Sequence, residues 1–274
     1  MTMPLSAILL LMLAPQAKRD ASPHLSGFVS SNGVRLHYLD WGGKGPTLLF
    51  ISGTGDDAHA FDDFAPRFKD RFRVLALTRR GYGRSDKPTS GYDIPNLAED
   101  VRGFLDAMKI SRVSLVGHSA GGDELSRFAV SYPNWVDKLV YLDAGYDRSD
   151  IAILAKDDPI PDPGPSSKYQ ELHWKGMDNF RPEFSRIKAP ALSFYAIFER
   201  HWGVDSKTPK SLAKRAKGYL ERVIQPWQRR NIERFRREVR NGRVVEYRGT
   251  HHYFFDDPKM VDRVVAEMRE FLAK

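Results

Sequence analysis

Cysteine is absent from the 274-residue chain. Its absence excludes disulfide bonds, a thiolate nucleophile and any cysteine-ligated metal. The sequence also has no H-E-x-x-H segment and no clustered carboxylate–histidine set, so its spacing indicates no metal site. No G-x-G-x-x-G or Walker phosphate-binding pattern is complete. We therefore expect a function that requires neither a metal nor an organic cofactor.

Long hydrophobic runs are scarce as well. The most apolar stretch, "MPLSAILLLMLAP" at residues 3–15, is too short to span a bilayer. It resembles the apolar region of a secretory signal and is followed by the small-residue stretch "APQA", although no Lys or Arg precedes it. We expect residues 1–22 to form a signal peptide or a flexible N-terminus. Export to the periplasm or the medium is the favoured location, with the cytoplasm as the alternative.

Acidic residues are outnumbered, with 35 Asp and Glu against 43 Lys and Arg, for a net charge of +8. The excess lies in residues 207–243, where 13 Lys or Arg accompany 3 Glu. A solvated helical face is the favoured interpretation, and weak contact with an anionic surface is the alternative. No helix-turn-helix, zinc-finger or aromatic RNA-binding signature accompanies this segment, so we expect no nucleic-acid partner. The sequence leaves the oligomeric state undetermined.

Short apolar runs alternate with segments of helical period from residue 45 onward, which predicts a mostly parallel sheet with helices on both faces. The predicted strands are residues 46–53, 73–81, 112–119, 138–145, 190–196 and 243–249. Asn32-Gly33 predicts a hairpin ahead of them. We expect one domain over residues 23–274, with a lid-like insertion at 147–189 and a basic helical insertion at 200–242.

The segment Gly117-His118-Ser119-Ala120-Gly121 follows a predicted strand and precedes a predicted helix. This pattern resembles the nucleophile elbow of the α/β-hydrolase fold, in which small neighbours permit a sharp turn that exposes the serine oxygen. The segments "FISGTG" and "TRRGYGRSDKP" extend the resemblance, which covers residues 27–274. Ser52 and Thr78 stand where the family usually has His and Asp.

The resemblance implies a serine hydrolase in which Ser119 attacks a carbonyl group. The backbone amides of Thr54 and Ala120 would then form the oxyanion hole. A serine hydroxyl requires a base, and the family places a histidine after the last strand. Counting forward from Gly249 selects His252, which we favour, and counting back from Pro258 selects His251.

The acid that orients the histidine has two equal candidates. Glu199 lies where many members of the family carry it, and Asp143 ends the strand after the nucleophile helix, as in some lipases; Asp147 is a weaker third candidate.

The expected substrate is a small carbonyl compound, with a carboxylic ester as the favoured class. Amide, thioester, lactone and C–C cleavage, or transfer to an alcohol, stay open. Tyr169, Trp174, Met177 and Phe180 are expected to wall an apolar pocket or to pack a lid. Epoxide hydrolases and haloalkane dehalogenases of similar layout use Asp at the elbow, so Ser119 disfavours their chemistry. The alternative to an enzyme is a non-catalytic ligand receptor or scaffold of the same fold.

Overall fold

The computed structural model describes residues 22–150 and 154–274 of the chain. The predicted signal segment therefore lies, but for its last residue, outside the described residues. Within the described part, no helix has both the length and the apolar character needed to cross a membrane.

Eight strands form one sheet in the order β1-β2-β4-β3-β5-β6-β7-β8. The strands β1 to β8 are Leu25–Ser31, Val34–Gly42, Thr47–Ile51, Arg73–Leu77, Val113–His118, Val136–Leu142, Ala191–Phe198 and Gly242–Gly249. Strand β2 pairs antiparallel with β1 and β4, and the other pairs are parallel. The predicted mostly parallel α/β sheet is thus confirmed. Asn32 and Gly33 both take positive φ, 48° and 74°, as the predicted hairpin turn requires.

Seven α-helices accompany the sheet within the described residues. Helices α1 to α7 are Ile94–Ala107, Gly121–Ser131, Lys168–Asp178, Lys210–Tyr219, Gln225–Glu238, Tyr253–Asp256 and Pro258–Ala273. Short 3₁₀ turns span Ala58–Phe61, Ala65–Phe68, Pro133–Trp135, Ala155–Asp157 and Phe184–Arg186, and a π-helical turn, Leu220–Ile224, joins α4 to α5. Helix α1 begins where the Asp93 side chain accepts from the Asn96 amide, and α7 begins where Asp257 caps Lys259 and Met260.

The core forms two layers, one on each face of the sheet. Helices α1, α2 and α5 bury their apolar side chains against one face. Helix α7 and the 3₁₀ turns of residues 58–68 cover the other. Because strands β3 to β6 are covered on both faces, their continuous apolar sequences are buried along almost their whole length.

The two segments predicted as insertions lie between β6 and β7 and between β7 and β8. The first contains α3, and the second contains α4 and α5. Helix α5 buries Trp227, Ile232 and Phe235 in the core, so its basic residues occupy only the remaining face.

Candidate active site

Ser119 lies in a sharp turn between β5, which ends at His118, and α2, which begins at Gly121. Its φ of 51° is strained for a non-glycine residue and is typical of a side chain held for function. The turn is tight: a Cβ on residue 121 would lie 2.4 Å from the Ile51 carbonyl oxygen, and one on residue 117 would lie 2.8 Å from the Gly121 carbonyl carbon. The two glycines therefore allow the half-buried serine to stand above the carboxyl end of the sheet.

Asp143 and His251 form the clearest polar pair beside this turn. The Nδ1 of His251 lies 2.5 Å from Oδ2 of Asp143. The other carboxylate oxygen, Oδ1, accepts from the Tyr146 hydroxyl at 2.6 Å and from the Ala196 amide at 3.0 Å. Asp143 is fully buried, and its three hydrogen bonds fix the orientation of the carboxylate. Because a carboxylate accepts at Nδ1, the proton lies there and the lone pair of His251 is at Nε2.

The structure places the other two sequence candidates differently. His252, which the spacing from Gly249 favoured, is exposed, and Asp143 binds its neighbour His251. Glu199 is exposed and accepts a hydrogen bond from Arg248 at 3.1 Å. Gly249 is the last residue of β8, and both imidazoles belong to the loop that follows it.

Asp147, the third acid candidate, is also engaged elsewhere. Its carboxylate pairs with Arg234 at 2.6 Å and accepts from the Ser149 hydroxyl at 2.5 Å. Of the carboxylates proposed from the sequence, Asp143 is the one that the structure brings to a histidine.

A third imidazole, that of His118, completes a cluster with His251 and His252. One ring nitrogen of each histidine lies within 4.8 Å of one on both others. Burial and the two neighbouring histidines hold the pKa of His118 well below its usual value. Partial burial and the adjacent His251 also lower the pKa of His252, although much of its ring reaches solvent.

The loop after β3 passes directly against the serine. A Cβ on Gly53 would lie 3.0 Å from Cβ and 3.6 Å from Oγ of Ser119. The backbone amide of the next residue, Thr54, therefore belongs to the immediate surroundings of the serine. The amide of Ala120 follows Ser119 directly in the chain, and the Thr54 amide belongs to the loop that contacts the serine.

Arg79 fixes the orientation of that loop. Its guanidinium donates to the carbonyl oxygens of Ser52 at 2.8 Å and Gly53 at 3.2 Å, and its Nε donates to Glu124 at 2.6 Å. In a planar trans peptide the C=O and the following N–H point in opposite directions. Because Arg79 holds the Gly53 carbonyl, it also determines where the Thr54 N–H points.

Two buried ion pairs, which no motif in the sequence indicated, lie beneath the elbow. Glu124 on α2 pairs with Arg79, and Asp123 pairs with Arg148 at 2.9 Å. Burial raises the pKa of Glu124 to about 7 and that of Asp123 to about 6, against the opposing influence of the two arginines. The sequence does contain one indication of these ion pairs. Asp123 and Glu124 are consecutive acids in the first turn of the helix after the serine, where both carboxylates would face the core without a partner.

Helix α3 is hydrogen-bonded to the same loop. The Oγ1 of Thr54 accepts from Nε1 of Trp174 at 3.0 Å and from Nε2 of Gln170 at 3.4 Å. It also lies 3.1 Å from the Tyr82 hydroxyl, which in turn contacts Nδ1 of His173 at 2.9 Å. The insertion between β6 and β7 is thus held by polar contacts to the loop that lies against the serine.

Apolar residues of α3 continue this cover. Met177 packs with Ala120, Ile94 and Leu97 in a small cluster. Trp174 and Phe180 lie at the edge of the same cluster, whereas Tyr169 packs against Tyr92. Three of the four side chains expected to wall a pocket or to pack a lid therefore share one cluster with the residue after the nucleophile.

Comparison with known proteins supports the assignment of the fold. The sequence profile described as the alpha/beta hydrolase fold matches residues 46–225. An uncharacterized protein of Mycobacterium tuberculosis is 34% identical over 143 residues, which are 52% of this chain and 42% of that protein. The bifunctional esterase/perhydrolase of Acinetobacter calcoaceticus is 33% identical over 177 residues, 62% of this chain and 61% of that one.

Solved structures show the same architecture. The crystal structure of E-2-(acetamidomethylene)succinate hydrolase superposes with a TM-score of 0.67 at 19% identity, covering 92% of this chain and all of that one (100%). The chain spans less than half of the length of the mycobacterial relative, 42%, so resemblance to it concerns the matched region. Because the family profile matches well over half of the residues, the chain belongs to the α/β-hydrolase fold family.

Proposed function

We propose that the protein is a serine hydrolase that cleaves a carboxylic ester through Ser119, His251 and Asp143. The observation that carries the proposal is the hydrogen bond between buried Asp143 and Nδ1 of His251, at the same sheet edge as the strained Ser119. It combines a nucleophile, a base and an orienting acid in the chain order that the fold uses.

In the proposed reaction, the Ser119 oxygen attacks the carbonyl carbon of the ester while Nε2 of His251 takes the hydroxyl proton. As the bond between the carbonyl carbon and the alkoxide oxygen breaks, the imidazolium gives that proton to the alkoxide, which leaves as an alcohol, and the acyl group stays on Ser119 as an acyl-enzyme. Water then attacks the acyl carbon, His251 takes a proton from it, and the collapse of the second tetrahedral species returns that proton to the serine oxygen. Asp143 stays bound to Nδ1 throughout and stabilises the imidazolium.

Both tetrahedral species carry a negative oxygen. The amides of Thr54 and Ala120 would donate to it, and the contacts of Arg79 with the Ser52 and Gly53 carbonyls keep the first of these amides oriented before substrate arrives. Such preorganised donors are worth about 10²–10³ each in kcat.

The surroundings of the serine favour an apolar acyl group of modest size. Met177, Trp174 and Phe180 adjoin Ala120, and α3 lies over the turn with its Gln170 and Trp174 tied to Thr54. A closely covered site favours short esters over long-chain lipids, because a long acyl chain would have to displace these contacts. The esterase/perhydrolase relative is consistent with this substrate class.

Hydrolysis of p-nitrophenyl esters of increasing acyl length tests the proposal. We expect Ser119→Ala and His251→Gln each to lose about six orders of magnitude in kcat, as when a nucleophile or base is removed from a triad. Ser131→Ala, a change at an exposed serine at the end of α2, is the matched control and should retain full activity.

A folded wild-type protein that hydrolyses none of these esters would favour the receptor or scaffold alternative. Equal activity in Ser119→Ala and the wild type would exclude Ser119 as the nucleophile. Loss of activity in His252→Gln with retention in His251→Gln would transfer the role of base to His252.

A further inference from the structure

The three-histidine cluster, His118 with His251 and His252, has a property that ester hydrolysis does not require. A Ser-His-Asp mechanism uses one imidazole, yet three lie together here, with ring centroids 4.7 Å apart for His118–His251, 5.4 Å for His118–His252 and 5.1 Å for His251–His252. Sequence spacing gave no sign of this cluster, because 133 residues separate His118 from His251.

The tautomer of His118 follows from its contacts. Its Nε2 lies 3.2 Å from the carbonyl oxygen of His251, and a carbonyl only accepts, so Nε2 carries the proton. Nδ1 is then a bare lone pair. That nitrogen is buried and has no hydrogen-bond partner among the described residues. It lies 3.2 Å from where a Cβ on Gly53 would stand, on the side of the loop that also faces Ser119.

His251 contributes a second lone pair to the same cluster. Because Asp143 binds Nδ1–H of His251, the free lone pair of that ring is at Nε2. A carboxylate that accepts from the outer nitrogen of a histidine is also the usual support of a metal-ligating imidazole, since it fixes the ring and raises its basicity. His252 adds a third imidazole, and its side chain is exposed.

We propose that His118, His251 and His252 bind one borderline divalent cation, Zn²⁺ being the best match, and that the bound ion inhibits hydrolysis by occupying Nε2 of His251. Neutral imidazoles are preferred ligands for Zn²⁺, at about 2.0–2.1 Å from the ion, and three of them with one open position form a common zinc site. Tetrahedral geometry then requires nitrogen separations of about 3.3 Å. One ring nitrogen of each histidine already lies within 4.8 Å of one on both others, so each pair must close by at most about 1.5 Å when the ion binds.

The inhibitory half of the proposal rests on the proposed function, because it assigns the base to His251. The binding half does not depend on it. Isothermal titration of the untagged, EDTA-treated protein with Zn²⁺ tests binding alone, and Co²⁺ supplies an independent readout through the visible absorbance of a tetrahedral site. Ester hydrolysis with and without Zn²⁺ tests inhibition.

We expect one Zn²⁺ per chain, a Co²⁺ spectrum, and inhibition that EDTA reverses. His252→Gln should weaken Zn²⁺ binding by at least about tenfold and relieve inhibition in parallel, since it removes one ligand. His59→Gln, the matched control at an exposed histidine beside Asp62, should bind Zn²⁺ like the wild type.

Equal Zn²⁺ affinity in His252→Gln and the wild type, or no stoichiometric binding, overturns the proposal. Binding without inhibition in an active enzyme also overturns it, because the ion would then lie away from His251. If the protein hydrolyses no ester even without metal, the proposed function fails while the titration and the Co²⁺ spectrum still decide whether the site exists.

Discussion

Arg79 and Glu124 offer a way to separate catalysis from stability beneath the oxyanion loop. Both side chains are almost fully buried, and Arg79 additionally binds the carbonyls of Ser52 and Gly53. Removing one partner of a buried ion pair typically costs about 3–5 kcal/mol, because the other charge stays buried without compensation. Arg79→Met should therefore be strongly destabilised.

The double variant Arg79→Met/Glu124→Met removes both charges and should be more stable than Arg79→Met alone. It still lacks the donors that hold the two carbonyls. The Thr54 amide then loses its fixed orientation, and kcat should fall by up to about 10²–10³, the value of one oxyanion-hole donor. Because that donor acts mainly in the transition state, kcat and kcat/KM should fall together while KM changes little.

Glu124→Gln supplies the complementary control. Its amide oxygen still accepts from Arg79, so the loop contacts persist and kcat should stay near the wild-type value even though stability falls. Urea unfolding and steady-state hydrolysis of a p-nitrophenyl ester measure the two effects. If the double variant recovers stability and also has wild-type kcat, Arg79 does not position the Thr54 amide.

Three further predictions concern other parts of the molecule. Asp143→Asn should lower kcat by about 10⁴ with little change in fold by circular dichroism, because an amide N–H facing Nδ1 stabilises the wrong imidazole tautomer; activity within tenfold of the wild type would argue against Asp143 as the acid. Burial lowers the pKa of His37 from 6.5 to about 4, so the unfolded chain binds the extra proton between these values and stability is lost as pH falls from 6.5 toward 4. His37→Gln should therefore lose less of its free energy of unfolding than the wild type between pH 7.5 and 5, measured by urea titration, and equal losses would contradict the pKa shift. Residues 207–243 should bind anionic vesicles weakly and lose that binding at high salt, since several of their arginines already pair with carboxylates, among them Arg236 with Glu246; salt-independent binding in a flotation assay would refute an electrostatic contact.

The alternation of strands and helices can be predicted from the sequence because buried parallel strands such as Thr47–Ile51 require continuous apolar runs. The elbow can be predicted because the close packing of Gly117 and Gly121 against neighbouring backbone admits no side chain. Both are local requirements, so they leave a local pattern in the sequence.

The residues that act with the serine come from distant parts of the chain and meet only in the folded structure. The sequence therefore indicates them less clearly than it indicates the strands and the elbow. Adjacent histidines 251 and 252 are equivalent in sequence, and the buried carboxylate that distinguishes them lies 108 residues away. The role of Arg79 is equally hard to predict from the sequence. Nothing around "TRRGYGRS" indicates that its guanidinium contacts Glu124, which lies 45 residues further along the chain. Such long-range contacts follow from the order β4-β3-β5-β6 in the sheet, which brings the carboxyl ends of these strands together.

Labelling by a fluorophosphonate probe tests the central claim most directly, because the probe reacts with an activated serine whatever the natural substrate is. We predict that the wild type and His252→Gln are labelled at Ser119, as located by peptide mass mapping, and that Ser119→Ala and His251→Gln are not labelled. Labelling that survives in His251→Gln but disappears in His252→Gln, or a folded wild type that never reacts, would contradict the assignment of Ser119, His251 and Asp143 as the catalytic residues.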